Sequence, residues 1–202
     1  MGMKNKIIKF VKQQSIWIIL LFTIIFFGVM TQGFLSIFNF QNILLQTSIN
    51  GIMAIGMTYI IINGNIDLSI GMIMALCAAV VISLQPYGLI VAVLAALATG
   101  LIIGLINGIF VAKAEVNAFI VTLAAMIGVK GLLFVYTGER AIIVTNMDFT
   151  LLASTSIGPI PLPAIIFLVL LIAGEYVLRN TTHGRDAYAI GGNFDAAEKA
   201  GI

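Results

Sequence analysis

Asp67, Ser69, Asn107 and Lys130 are the residues whose types could handle a polar solute, because each interrupts sequence that is otherwise apolar. A carboxyl, a hydroxyl, an amide and an ammonium supply hydrogen-bond donors and acceptors of different geometry. They do not compose a nucleophile with its base. His183 is the single histidine, beside Gly184 and Arg185, and has no second histidine or carboxylate cluster to make a metal site; it reads as a solvated loop residue. Cys77 is the single cysteine and lies in an apolar run, where it reads as a small buried hydrophobe, which excludes a disulfide framework or a CxxC site. No GxxxxGK[ST] loop is present, so ATP binding in the P-loop manner is excluded. No catalytic residue and no metal ligand is expected.

The elements that must position these residues follow from composition. The 202 residues are 61% hydrophobic and 9% charged, against roughly a quarter charged in an ordinary soluble domain. Residues 13–66 carry no charge, and after Asp67 the stretch 68–112 carries none. A spanning helix needs about 20 mostly apolar residues. The strict alternation of a barrel strand is missing, so an all-α, polytopic bundle is predicted. Six spans are expected at 16–33, 43–62, 68–84, 87–112, 118–136 and 161–179. The first follows Lys4, Lys6, Lys9 and Lys12, lacks a small-x-small cleavage site, and reads as an uncleaved helix with Trp17 at the inner interface. Gln85, Pro86 and Tyr87 make one turn and Lys113, Ala114 and Glu115 another. The long connection is 138–160, where Pro159, Pro161 and Pro163 delay the last helix. With the N-terminus inside, the inner segments hold Lys4, Lys6, Lys9, Lys12, Lys113, Arg179, Arg185 and Lys199, and the outer loops hold only Arg140. That bias puts residues 180–202 in the cytoplasm.

Two helices carry small residues at four-residue spacing: Ala96, Gly100, Gly104 and Gly108 on the fourth, and Gly71, Ala75 and Ala79 on the third. Such faces let helices approach closely, within the chain or across a subunit interface. The segment from Asn63 to Gly71 breaks the apolar pattern. It reads either as a tight turn with Asp67 or Ser69 capping the third helix, or as a broken helix lining a solute path. Lys130, about two turns from the outer end of the fifth helix, either snorkels to the interface or faces a polar cavity. Glu175 and Arg179 are four apart and are expected to pair.

Three segments, in order and in register, resemble the membrane subunits of bacterial ABC sugar importers of the ribose, xylose and galactose type. The first runs from Gly56 through Asn63, Gly64, Asn65, Ile66, Asp67, Leu68 and Ser69 to Gly71. The second is Gly104, Asn107, Gly108 and Ala112, then Ala118 to Thr122, then Lys130-Gly131, where such proteins usually carry Arg-Gly. The third runs from Gly184 and Arg185 through Gly191, Gly192, Asn193, Ala196, Ala197 and Ala200 to Gly201 and Ile202, and is similar to the segment that docks on the ATPase. Gly191, Gly192 and Asn193 are expected to break the chain and cap a short helix whose Ala196, Ala197 and Ala200 form a smooth face. A lipid-resting helix would want larger apolar anchors.

The resemblance implies one permease domain over 1–202, with 180–202 as the cytoplasmic coupling segment, in the bacterial inner (plasma) membrane. It implies an ATP-driven importer of a sugar or similar polar small molecule, with Asp67, Ser69, Asn107 and Lys130 along the path. The implied partners are an ABC ATPase subunit, which would bind the ATP and Mg, an extracytoplasmic solute-binding protein, a second permease subunit in a homo- or heterodimer, and the lipid bilayer; no nucleic acid is implied. Family members usually continue for several more helices, so a fragment, a truncated frame or a split gene is expected. A secondary transporter or channel subunit is the other transport class and needs no ATPase. A membrane-embedded transferase would need acids or histidines converging at one depth, and the scattered carboxylates rank it last.

Overall fold

The computed structural model of the protein describes residues 14–146 and 148–202. The lysines at 4, 6, 9 and 12 lie outside these residues. Among these residues the fold is all-α apart from one hairpin of two-residue strands. Helices α1 (Ser15–Met30), α2 (Ile37–Ile62) and α3 (Ile70–Ser83) are followed by a 3-10 turn (Gln85–Tyr87), α4 (Leu89–Ala112) and α5 (Ala118–Thr137). A short α6 (Asp148–Ser154) and the strands β1 (Ser156–Ile157) and β2 (Ile160–Pro161) fill the long connection before α7 (Leu162–Asn180), α8 (Thr182–Gly192) and α9 (Phe194–Lys199).

Local chemistry sets these limits. The Ser36 hydroxyl accepts from the Asn39 N–H (3.2 Å), and the Asn39 amide donates to the Phe34 carbonyl (2.7 Å). Helix α2 therefore starts at Ile37, ahead of the residue 43 expected from hydropathy, because polar Asn39 closes the turn that precedes the apolar run. The Asn117 side chain accepts from the Phe119 N–H (2.9 Å) at the start of α5. Strands β1 and β2 pair antiparallel, Ile157 opposite Ile160, around Gly158 at φ +61°. Pro161 and Pro163 then frame the first turn of α7, where a missing N–H costs nothing.

Helices α3, α4 and α5 pack on one another, and α2 packs on α7 with α8 against both. The interior is thin and built of small residues: Leu76, Ala79, Ala92, Ala96, Ala118 and Val129 are buried between α3, α4 and α5. Large apolar side chains such as Leu97, Leu101, Leu105, Phe119 and Ile127 point outward. Water would not tolerate such a surface, and hydrocarbon requires it. Among the described residues four helices, α2, α4, α5 and α7, are long and apolar enough to cross a membrane by length and composition. The other two expected spans are shorter apolar helices, α1 and α3. Over its 14 residues α3 rises only about 21 Å, less than the roughly 30 Å of a bilayer core. The non-helical segment between α2 and α3 must supply the remaining depth.

Candidate functional site

That segment begins where α2 stops. Gly64 takes φ +77°, its N–H donates to the Ile61 carbonyl (2.9 Å), and the Asn65 N–H reaches back to the Ile60 carbonyl (3.0 Å). This is a Schellman closure, and it satisfies carbonyls that would otherwise face hydrocarbon. The chain then extends to Asp67, whose Oδ1 accepts from both the Ser69 N–H (2.7 Å) and the Ser69 hydroxyl (2.6 Å). The Asn107 amide of α4 donates to the Ser69 Oγ (3.0 Å). Ser69 is 0% and Asn107 6% exposed.

One hydrogen-bonded chain thus joins three of the four expected path residues. Asp67 binds the backbone at the start of α3, whereas Ser69 takes no capping bond and spends its hydroxyl on Asp67 and Asn107. A carboxylate held away from water is costly even at a helix break, and the two hydrogen bonds Asp67 accepts from Ser69 offset that cost. Thr122 of α5 also reaches the segment. Its buried hydroxyl donates to the Ala118 carbonyl (2.7 Å), with the Ile66 carbonyl 3.4 Å away. Lys130 does not join. It is exposed on α5, its Nζ 5.7 Å from the centroid of the Phe134 ring, one turn nearer the C-terminal end of that helix. That is the direction a snorkelling ammonium takes.

The small-residue faces divide. Ala96 is buried, the Cys77 thiol donates to its carbonyl (3.3 Å), and a Cβ placed on Gly100 would lie 3.5 Å from the Cys77 sulfur. Together with buried Ala79 and half-buried Ala75, these residues bring α3 and α4 close. At Gly104, Gly108 and Gly71 an added Cβ would meet nothing within 4 Å. That half of the α4 stripe is an open groove.

The tail folds back on the bundle. Thr181 ends α7 and caps α8, accepting from the Gly184 N–H (3.3 Å). Gly184 is pressed on the Leu178 backbone, and Gly191 on the Ile62 carbonyl at the end of α2. His183 is not in a loop: it lies on α8, with its ring stacked on Tyr59 at a centroid distance of 6.3 Å. Gly191 and Gly192 are the last residues of α8, and the break falls at Asn193, whose side chain accepts from the Ala196 N–H (3.0 Å) to cap α9. Ala196 and Ala200 are exposed one turn apart, while Ala197 is 5% exposed. Phe194 is also exposed, so the outward face of α9 carries one large apolar residue beside its alanines. Gly201, at φ +80°, closes α9, with the Ile202 N–H donating to the Ala197 carbonyl (3.1 Å). Glu175 and Arg179 pair at 2.5 Å on the exposed side of α7.

At the other end of the bundle lies a residue that sequence reasoning passed over as part of a turn. Gln85 is 6% exposed and uses its whole amide. Its Nε2 donates to the Ile82 (2.6 Å) and Ile143 (3.3 Å) carbonyls, and its Oε1 accepts from the Thr145 (2.8 Å) and Asn146 (2.9 Å) N–H groups. The α3–α4 turn thereby holds the extended segment that follows α5.

Residues 39–202 match the family described as branched-chain amino acid transport system / permease component. The chain belongs to this family. It is 40% identical over 199 residues to the ribose import permease protein RbsC of Escherichia coli strain K12, covering 94% of this chain and 61% of that protein. It is 34% identical to the xylose transport system permease protein XylH of Haemophilus influenzae, covering 88% of this chain and 64% of that protein. It is 30% identical to the L-arabinose ABC transporter permease protein AraH of Azospirillum brasilense, covering 92% and 56%. The chain therefore spans about 61% of the length of the ribose permease it matches. No solved structure matches it. Family and fold agree on a multi-pass protein of the cell membrane, built as a helical transport component.

Proposed function

We propose that the chain is a permease subunit of an ATP-driven ABC importer and forms part of the path for a sugar or similar polar small molecule. The observation that carries the reading is the Asp67, Ser69 and Asn107 chain at a helix break, in a bundle whose surface is largely apolar. Discontinuous helices with polar groups at membrane depth are how many transporters expose hydrogen-bonding capacity to a solute. The ribose, xylose and arabinose permeases similar to this chain support a sugar as that solute. In this reading α8 and α9 face the cytoplasm and meet an ATPase that binds ATP and Mg. A solute-binding protein delivers from the other side, and a second permease subunit completes the path. Exposed Ala196 and Ala200 form the ATPase-facing patch, whereas Ala197 seats α9 on its own chain.

The test is purification of the intact protein from its native membrane, with ATP hydrolysis and ribose uptake measured on the product. Co-elution of an ATPase is expected, and its loss in an Ala196→Trp, Ala200→Trp variant that still inserts and unfolds like the parent. Uptake of a sugar without any co-eluting ATPase would replace the ABC reading with a secondary transporter. Retention of the ATPase by the double tryptophan variant would move the contact elsewhere.

A further inference from the structure

We propose that Gly191 is a mechanical joint that ties the α8–α9 unit to the helix break at 63–69, and is not itself part of the surface offered to an ATPase. The inference rests on the importer reading for the identity of what pulls on the joint, but not for the joint itself. Helix α8 is held at both ends by glycines without room for a side chain. Near its start, Gly184 abuts the Leu178 backbone of α7. Near its end, Gly191 abuts the Ile62 carbonyl, and Ile62 is the last helical residue of α2. Any Cβ at either site would overlap backbone atoms, which cannot step aside as a flexible side chain can.

Beside the first clamp the rings of His183 and Tyr59 stack, and the Tyr59 hydroxyl donates to the Gly174 carbonyl of α7 (2.8 Å). The α8 helix therefore cannot tilt or slide without displacing the end of α2. One residue beyond Ile62 the Schellman turn begins, and within seven residues the chain reaches Ser69 and its bonds to Asp67 and Asn107. A displacement of α9 is delivered to the polar cluster through a short segment pinned at its start by the Schellman bonds and at its end by Asp67 and Ser69. Gly192 provides the contrast, because an added Cβ there meets nothing within 4 Å.

Hydrogen exchange of the intact protein in lipid nanodiscs, read by mass spectrometry on peptides covering 63–69, tests the joint. Gly191→Ala is expected to speed exchange of this segment by about tenfold. Gly192→Ala leaves it at the parent rate, whatever it does to ATPase binding. Equal rates in Gly191→Ala and parent overturn the proposal. Should Gly191→Ala not fold, the parent decides: binding of the ATPase that co-purifies with it must change exchange at 63–69, and unchanged rates in the bound state overturn the joint. If no ATPase co-purifies, the importer reading falls, while the comparison of the two alanine variants on the chain alone still decides the joint.

Discussion

Replacing Ser69 by alanine removes the centre of the polar chain and leaves both of its neighbours in place. The Asp67 side chain keeps the Ser69 N–H but loses the hydroxyl, and the Asn107 Nδ2, on a residue 6% exposed, loses its acceptor. By rules from soluble proteins, a bond to a charged group contributes about 1.5–3 kcal/mol and an orphaned buried donor costs about 1–3 kcal/mol. Hydrogen bonds inside membrane proteins measure smaller, averaging about 0.6 and reaching about 1.7 kcal/mol, because the inserted but unpacked helices also find partners. Ser69 is fully buried and bonded on both sides, so the upper membrane value applies to each bond. Ser69→Ala should then cost about 3 kcal/mol. Asn107→Leu, which removes the donor at similar volume, should cost about 1 kcal/mol. In the double variant no orphan remains on the α4 side, so it should be less destabilised than the sum of the two by about 1–1.7 kcal/mol. Reversible unfolding in mixed micelles, run as a double-mutant cycle, measures that difference. Simple additivity would show that Ser69 and Asn107 do not interact, and the polar chain across α3 and α4 would be refuted with it.

Three further outcomes follow from the packing. Gln85→Leu should raise amide exchange at Thr145 and Asn146 by at least about tenfold, since both lose their acceptor; Gln85→Glu, which keeps an acceptor, should leave these amides closer to the parent rate than Gln85→Leu does. Gly51→Ala should destabilise by about 1–3 kcal/mol in the same unfolding assay, because its Cβ would sit 2.5 Å from the Phe167 ring at the α2–α7 contact. Gly104→Ala, with nothing within 4 Å, should be neutral or stabilise by up to about 1 kcal/mol through helix propensity. If Gly104→Ala instead lowers the oligomeric mass on size-exclusion with light scattering, the open half of the stripe is a subunit contact.

What could be read from the sequence was whatever a short stretch decides alone. Apolar runs located the spanning elements because hydrocarbon admits little else, and Asn193 was legible as a cap because capping is settled within three residues. The Glu175 and Arg179 pair is equally local. The start of α2 was missed because Asn39 and Gln41 look like loop residues until Asn39 is seen bonding Phe34 and Gln41 bonding Gly158, 117 positions away. Gln85 looked like a turn residue because its loop partners lie 58 to 61 positions along the chain. The Ser69–Asn107 bond spans 38 positions, and only the packing of α3 on α4 creates it. Residue type flagged both members, but no spacing rule could join them. Gly191 and Gly192 were read together with Asn193 as one break in the chain, although one is jammed on a carbonyl and the other is open. Identical residues side by side carried opposite constraints.

The geometry also bears on what the polar residues can do for a solute. Ser69 has no exposed surface, and its hydroxyl already donates to Asp67 and accepts from Asn107. In this arrangement it cannot touch a sugar. Asn107 is nearly as enclosed, and Lys130 stands apart on α5 beside Phe134. Of the three bonded residues Asp67 alone is half-buried rather than enclosed, at the edge of the break and anchored by Ser69, so on the importer reading it is the member of the chain with surface to offer a solute. The cluster is therefore better understood as a positioning device for Asp67 and the 63–69 backbone than as a ring of equivalent ligands. Asn107 is five residues, about 7.5 Å, from the C-terminal end of α4, so with α4 spanning a bilayer the bonded chain would lie at a depth where an unsatisfied backbone group is costly. If the proposed path runs here, opening it for a solute must exchange protein hydrogen bonds for solute hydrogen bonds of similar strength. On the importer reading proposed above, a hydroxyl-rich molecule can make that exchange and an apolar one cannot, which would suit the break to a sugar.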